Sequence, residues 1–224
     1  MPNHIPGIHH VTAIAGDPQQ NLDFYTGVLG LRLVKRTINF DDPGTYHFYY
    51  GNENGTPGTI LTFFPWPDAQ QGRVGTGQTS LVSFAIPAGS LKFWMDRLGE
   101  KKISFDGPFP RFEEQVLAFA DPDHLQIELV ASSTGAEPWR SGPLPAEHAI
   151  RGFHSITLSE EGYELTAALL AGTLSFRPAG ESGNRFRYRR RRSRNHCRRN
   201  MPARAMPRRG GRGDGTSRGM ANVR

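Results

Sequence analysis

Three stretches of this chain repeat one order of local signals, and that repetition restricts the fold more than any composition figure does. The first stretch, residues 5–67, opens with a strand-like apolar run at 8–14 that carries the pair His9-His10. Asp17-Pro18 then reads as a helix start. An aspartate side chain caps free backbone N–H groups, and proline's missing N–H is harmless at the first helical position. Leu22, Phe24, Tyr25, Val28 and Leu29 recur at helical spacing, and Gly30 suits the left-handed residue that ends a helix. Residues 31–40, 45–50 and 59–64 follow, rich in β-branched and aromatic side chains. Asp42-Pro43-Gly44 and Asn54-Gly55 supply the turns between them. The predicted order is β-α-β-β-β.

The second stretch, residues 76–132, repeats that order. A strand is expected at 81–86, a short amphipathic helix at 90–98 stopped by Gly99, and strands at 102–105, 115–119 and 125–130. Residues 133–149 hold Gly135, Pro138, Gly142, Pro143 and Pro145 and read as a linker. A third stretch, 150–188, begins again. Gly152-Phe153-His154-Ser155-Ile156-Thr157 echoes Gly7-Ile8-His9-His10-Val11-Thr12. A helix at about 162–170, a strand at 174–176 and a strand start at 186–188 follow. The fold class expected is α+β, built from tandem βαβββ modules of roughly fifty to sixty residues.

The pattern stops in the tail, residues 189–224. Fifteen arginines and one acid, Asp214, lie within residues 183–224, a balance of +14. Residues 1–182 carry 12 basic and 20 acidic residues, a balance of −8. The chain's net charge of +6 therefore describes neither part. A segment of Arg, Gly, Pro and Ala without aliphatic periodicity cannot bury a core and is expected to be disordered. Two origins fit it. One is a basic arm that neutralises nucleic-acid phosphates. The other, which we prefer, is a reading-frame shift, because GC-rich DNA translated out of frame gives this mixture. The change falls inside a half-built third module.

Cys197 is the sole cysteine, so no disulfide framework forms within one chain, which suits a reducing cytoplasm. Met1-Pro2-Asn3-His4 does not resemble a signal peptide, and no apolar run is long enough to span a membrane. The expected location is cytoplasmic. Gly-x-Ser-x-Gly, Cys-x-x-Cys and phosphate-binding Gly-rich loops are absent.

Strand alternation puts His9 and His10 on opposite faces. A lone strand histidine is usually structural. Comparison of the modules makes His10 more interesting, because it is the copy that the others lack: Ser155 and, on our alignment, Leu81 stand in its place. Glu128 is a second candidate ligand, on the last strand of the second module. Beside a strand histidine, a carboxylate suits a two-His-one-carboxylate metal site. A solvent-facing glutamate is the simpler reading of it. Asp41-Asp42 and Glu113-Glu114 read as turn residues. Phe63-Phe64-Pro65-Trp66-Pro67 reads either as a wall for a flat substrate or as a core strand running into a rigid loop.

These motifs resemble the vicinal oxygen chelate superfamily, which includes glyoxalase I, bleomycin-resistance proteins and extradiol dioxygenases. Phe24-Tyr25, Leu31-x-Leu33-Val34-Lys35-Arg36-Thr37, Tyr46-His47-x-Tyr49, Gly55-Thr56-Pro57-Gly58-Thr59, Arg151-Gly152-Phe153-His154 and Gly183-Asn184-Arg185-Phe186-Arg187-Tyr188 are similar to its ring-cleaving hydroquinone dioxygenase branch. The resemblance covers about residues 5–188. It implies cupped mixed sheets and a non-haem Fe(II), with Mn(II) as the alternative, acting on O2 and a small hydroquinone or catechol-like aromatic. It assigns His10 as a metal ligand and places His9 and Thr12 beside the metal. Two further ligands belong to a fourth module that this chain lacks, so the chain is expected to be impaired. Glu128 is the second-module counterpart of the ligand glutamate. A non-catalytic ligand-binding module and a glyoxalase-like lyase are the alternatives the superfamily offers. The unpaired first module implies a homo-oligomer.

Overall fold

The computed structural model of the chain describes residues 5 and 7–190 and the backbone of 218–223. The disordered-tail expectation for residues 191–217 lies outside the described residues, as does nucleic-acid contact through them. Twelve strands among the described residues form two sheets.

The first module holds β1 (His10–Ala15), α1 (Pro18–Leu22, continued by a π-helical turn Asp23–Val28), β2 (Arg32–Ile38), β3 (Tyr46–Gly51) and β4 (Ile60–Pro65). Asp17 accepts from the Gln20 N–H at 2.7 Å, and Pro18 is the first helical residue, as the sequence predicts. Gly30 closes the helix at φ 66°. A Cβ there would stand 2.5 Å from the Leu144 side chain, so both backbone and packing require glycine. The four strands pair in the order β1-β4-β3-β2, with β1 parallel to β4.

The second module holds β5 (Gln78–Pro87), α2 (Leu91–Glu100), β6 (Phe105–Arg111), β7 (Glu114–Ala120) and β8 (Gln126–Ser132). Its order is β5-β8-β7-β6, with β5 parallel to β8. The third supplies β9 (Phe153–Glu161), α3 (Glu164–Ala168, continued by a π-helical turn Leu169–Thr173), β10 (Arg177–Ser182) and β11 (Arg185–Arg189). β9 joins β5 antiparallel and merges the two modules into one eight-stranded sheet.

Two expected strands are displaced. Residues 102–105 were expected as a strand, but β6 starts at Phe105 and runs through Pro108 and Pro110. Prolines argue against a strand unless it lies at a sheet edge, where no ladder N–H is owed, and β6 is an edge. Residues 174–176 are no strand either. Leu174 donates its N–H to Leu169 O at the helix end, and Phe176 is buried against Leu170 and Tyr188. Their apolar character serves helix packing, while the true strand β10 is exposed along its length.

A further departure is β12 (Arg218–Val223), a strand within the segment expected to hold none. It lies between β9 and β11.

One core joins the first two modules, because the helices and inner strand faces pack together. Tyr25, Leu29, Tyr50, Leu61 and Phe63 of the first meet Phe84, Trp94, Leu98, Leu117 and Leu129 of the second. Polar ties cross the same seam. Tyr25 OH donates to buried Asp121 at 2.8 Å, and Arg97 donates to Val28 O at 2.7 Å. The 133–149 linker joins this packing: Leu144 and Ala149 are buried, as is Ile150 just beyond it, and Trp94 Nε1 donates to His148 O.

Candidate functional site on the first module

Strand alternation sorts the first sheet into a packed face and an open one. Val11, Ala13 and Ala15 of β1 turn to the core, so His10, Thr12 and Ile14 turn away from it. All three are exposed, Ile14 by 60 %. Register brings Thr62 and Phe64 beside them from β4. His47 and Tyr49 come from β3, and Lys35 and Thr37 from β2.

The pairing carries the geometry. Thr62 Oγ1 donates to Thr12 Oγ1 at 2.9 Å. His10 Nδ1 lies 3.1 Å from His9 Nδ1, with the rings edge to face. His9 precedes β1, so it is not held to the opposite face as simple alternation would have it. One nitrogen of that contact carries the proton, and His10 is left with Nε2 as its available donor. Tyr49 OH meets His47 Nδ1 at 2.9 Å. Lys35 Nζ sits 5.2 Å from the centre of the Tyr49 ring. The His47 ring lies 4.0 Å from Phe64, which stacks on Trp66. Burial, then the positive charges of Lys35 and His10, lower the His47 pKa. These effects favour the neutral imidazole, whose buried Nε2 has no partner among the described residues.

The aromatic run therefore has a split role. Phe63 belongs to the core, whereas Phe64 and Trp66 wall the open face. His47, Lys35 and Tyr49 join the face without a site role in the sequence reading. The signal was present as Tyr46-His47-x-Tyr49, whose spacing of two puts both rings on one face.

Glu128 is not part of this site. It stands on the other sheet, and it is buried to 1 % exposure, not solvent-facing. Ser83 Oγ donates to it at 2.9 Å and Arg111 ion-pairs with its other oxygen. Its register explains its place: Glu128 pairs with Ser83 as Thr62 pairs with Thr12. Burial, then Arg185 and Arg187 nearby, push the Arg111 pKa down to about 10, which keeps it charged. His154, the counterpart of His9, is also buried and meets Glu114 at 3.0 Å. Of the two acids expected in a turn, Glu113 lies in the β6–β7 turn while Glu114 opens β7 opposite Arg111, and together they hold Arg187 and Arg189.

Metal binding needs several donors aimed at one point. Among the described residues, no three His, Cys, Asp or Glu side chains form such a group. The donors present do not fit a complete two-His-one-carboxylate set. No helix among the described residues is long and apolar enough to cross a membrane.

The sequence profile of the Glyoxalase/Bleomycin resistance protein/Dioxygenase superfamily matches residues 7–129. MhqO of Bacillus subtilis (strain 168), whose name assigns it provisionally as a ring-cleaving dioxygenase, is 49% identical over 184 residues. That match covers 82% of this chain and 59% of MhqO. The chlorohydroquinone/hydroquinone 1,2-dioxygenase of Sphingobium indicum is 36% identical over 193 residues, covering 84% of this chain and 60% of that enzyme. A crystal structure of a provisionally assigned dioxygenase from Bacillus subtilis subsp. subtilis str. 168 superposes with a TM-score of 0.80 at 47% identity. It covers 84% of this chain and 61% of that one. The chain thus spans about three-fifths of the length of these relatives. With its βαβββ modules and this profile match, the chain belongs to the Glyoxalase/Bleomycin resistance protein/Dioxygenase superfamily.

Proposed function

We propose that this chain carries part of the machinery of a ring-cleaving dioxygenase of extradiol type. Its metal is Fe(II), with Mn(II) as the alternative, and its substrates are O2 and a hydroquinone or catechol-like aromatic. The observation that carries the reading is the open face of the first module. It gathers one histidine donor (His10), paired hydroxyls (Thr12, Thr62), a cation (Lys35) and an aromatic wall (Phe64, Trp66). The relatives named for ring cleavage, at 36–49% identity, support the choice of reaction.

In this reading His10 would be the residue that holds the metal from this face, and His9 orients the His10 ring through Nδ1. Thr12 and Lys35 favour an oxygen-rich, anionic ring on this face, and Phe64 and Trp66 suit a flat one. The donors among the described residues do not complete a two-His-one-carboxylate triad. The chain on its own is therefore impaired and associates with itself through the open face, since exposed apolar surface such as Ile14 invites association.

The test combines anaerobic Fe(II) addition, hydroquinone and an oxygen electrode with calorimetric Co(II) titration. We expect no sustained oxygen uptake, and weak Co(II) binding that His10→Ala weakens by at least the roughly tenfold that loss of even an outer-shell partner of a metal ligand costs. Co(II) binding indifferent to His10→Ala would remove the metal reading. Clear turnover would remove the claim of impairment.

A second reading, a ligand-binding module without catalysis, is favoured by the same incomplete donor set. Saturable binding of hydroquinone to metal-free protein, with no Co(II) binding, would select it.

A further inference from the structure

The third module fills its fourth-strand position in the wrong direction. In the first module the slot between first and third strands holds β4, parallel to β1 and antiparallel to β3. In the second it holds β8, parallel to β5 and antiparallel to β7. In the third the same slot holds β12, which is antiparallel to β9 and parallel to β11. Strand order is conserved and polarity is inverted. Either polarity satisfies a ladder, but the spacing and slant of the hydrogen bonds differ, so β9 and β11 each bond here in the pattern opposite to their counterparts.

Side chains flanking the slot say what would suit it. On the helix side stand Ile156 and Leu158 of β9 and Phe186 and Tyr188 of β11, around buried Leu170 and Phe176. On the cup side stand Thr157 of β9 and Arg185 and Arg187 of β11. Position 222 lies in register with both Thr157 and Arg187, and the sequence has asparagine there. The corresponding second-module position is Glu128, which anchors Arg111 and Ser83. Sequence positions 218–223 hold no acid at all. Arg185 Nη1 and Arg187 Nε are buried without a hydrogen-bond partner among the described residues, although Arg187 is only 3 % exposed and binds Glu114 at 2.7 Å through Nη2.

We propose that the slot between β9 and β11 is a strand-acceptor site. Its fitting occupant is an extended acidic peptide that runs parallel to β9 and displaces β12. The occupant alternates apolar residues toward Leu158 and Tyr188 with a carboxylate toward Arg185 and Arg187. Main-chain hydrogen bonds supply affinity, and the alternate side chains supply selection. The proposal is independent of the metal reading, since the slot lies on the other sheet.

A suitable probe is a synthetic peptide copying residues 124–133, the fourth strand of the second module with its single carboxylate Glu128, carrying a fluorophore and an N-terminal photo-cross-linker. The full-length chain should bind it saturably. Ala221→Pro removes a ladder N–H from β12 and should tighten binding about tenfold by weakening the internal competitor. A peptide carrying Glu128→Gln, or a chain carrying Arg185→Ala, should bind about tenfold more weakly, the scale of a charge-assisted hydrogen bond. The cross-linker should label the Phe153 end of β9. Labelling at the Glu161 end, labelling of β5 or equal affinity for the glutamine peptide overturns the proposal. So does failure to bind an Ala221→Pro chain that keeps its circular dichroism spectrum. If that variant does not fold, the Arg185→Ala chain decides alone, and unchanged affinity overturns the proposal.

Discussion

The first and second modules share one strand order, yet their cup faces have opposite character. In the first, Thr62 bonds Thr12, and the histidine, hydroxyl and isoleucine of β1 on that face stand exposed. In the second, the same paired positions are Glu128 and Ser83, and Arg111 reaches in to close the face. Backbone architecture alone therefore does not make a binding site. A face stays available only if its own side chains do not neutralise one another. The second cup is satisfied by internal ion pairs, whereas the first is held by neutral hydrogen bonds and leaves His47 Nε2 without a hydrogen-bond partner among the described residues.

The sharpest way to break this comparison is to open the closed cup. Glu128→Ala leaves the Arg111 guanidinium partly buried and unpaired, which should destabilise the chain by about 3–5 kcal/mol in urea unfolding. Replacing both partners, with Arg111→Met and Glu128→Leu, should recover most of that loss. A Glu128→Ala effect below about 1 kcal/mol would mean that solvent already reaches the pair.

Acid should act next. Burial works to raise the Glu114 carboxyl, but His154 and Arg187 outweigh it and hold its pKa at about 2, against an ordinary 4.5. A depressed carboxylate contributes stability that is complete above its unfolded value and is lost as pH falls toward the folded one. Stability should thus decline between about pH 4.5 and 2, and Glu114→Gln should flatten that limb. A thermal-melt profile of the variant that keeps the wild-type acid slope would reassign the effect to other carboxylates. Among the described residues, the face of the open cup formed by His10, Thr12, Ile14, Thr62, Phe64, His47, Tyr49, Lys35 and Thr37 holds no such carboxylate.

The smallest effect belongs to the open face. Thr12→Val removes one exposed hydroxyl partner of Thr62 and should cost about 0.5–1 kcal/mol in urea unfolding. A cost near that of Glu128→Ala would mean that the first cup is as closed as the second.

Much of the fold was legible beforehand because it is written in local signals. Asp17-Pro18 and Gly30 bracket the first helix, and period-two apolar runs mark β1, β3, β4, β7 and β8. Reading failed where tertiary context overrides local preference. β6 tolerates Pro108 and Pro110 because it is an edge, and Leu174 and Phe176 look like a strand because a helix end buries them. The candidate site was legible in part. The His10 position follows from module comparison, but His47 gains meaning only when β3 is set beside β4 and Phe64 comes within 4.0 Å.

The sequence by itself determined the modular order, the caps, the alternating faces and the unique position of His10. These depend on residues close together in the chain. Tertiary structure alone decided that Glu128 would meet Arg111, that the first cup would stay open, and that the last strand would enter its slot reversed. Such outcomes depend on pairing between distant segments. A strand's own sequence specifies its faces by period two, but its neighbour and its direction are settled by whichever ladder is available to satisfy it.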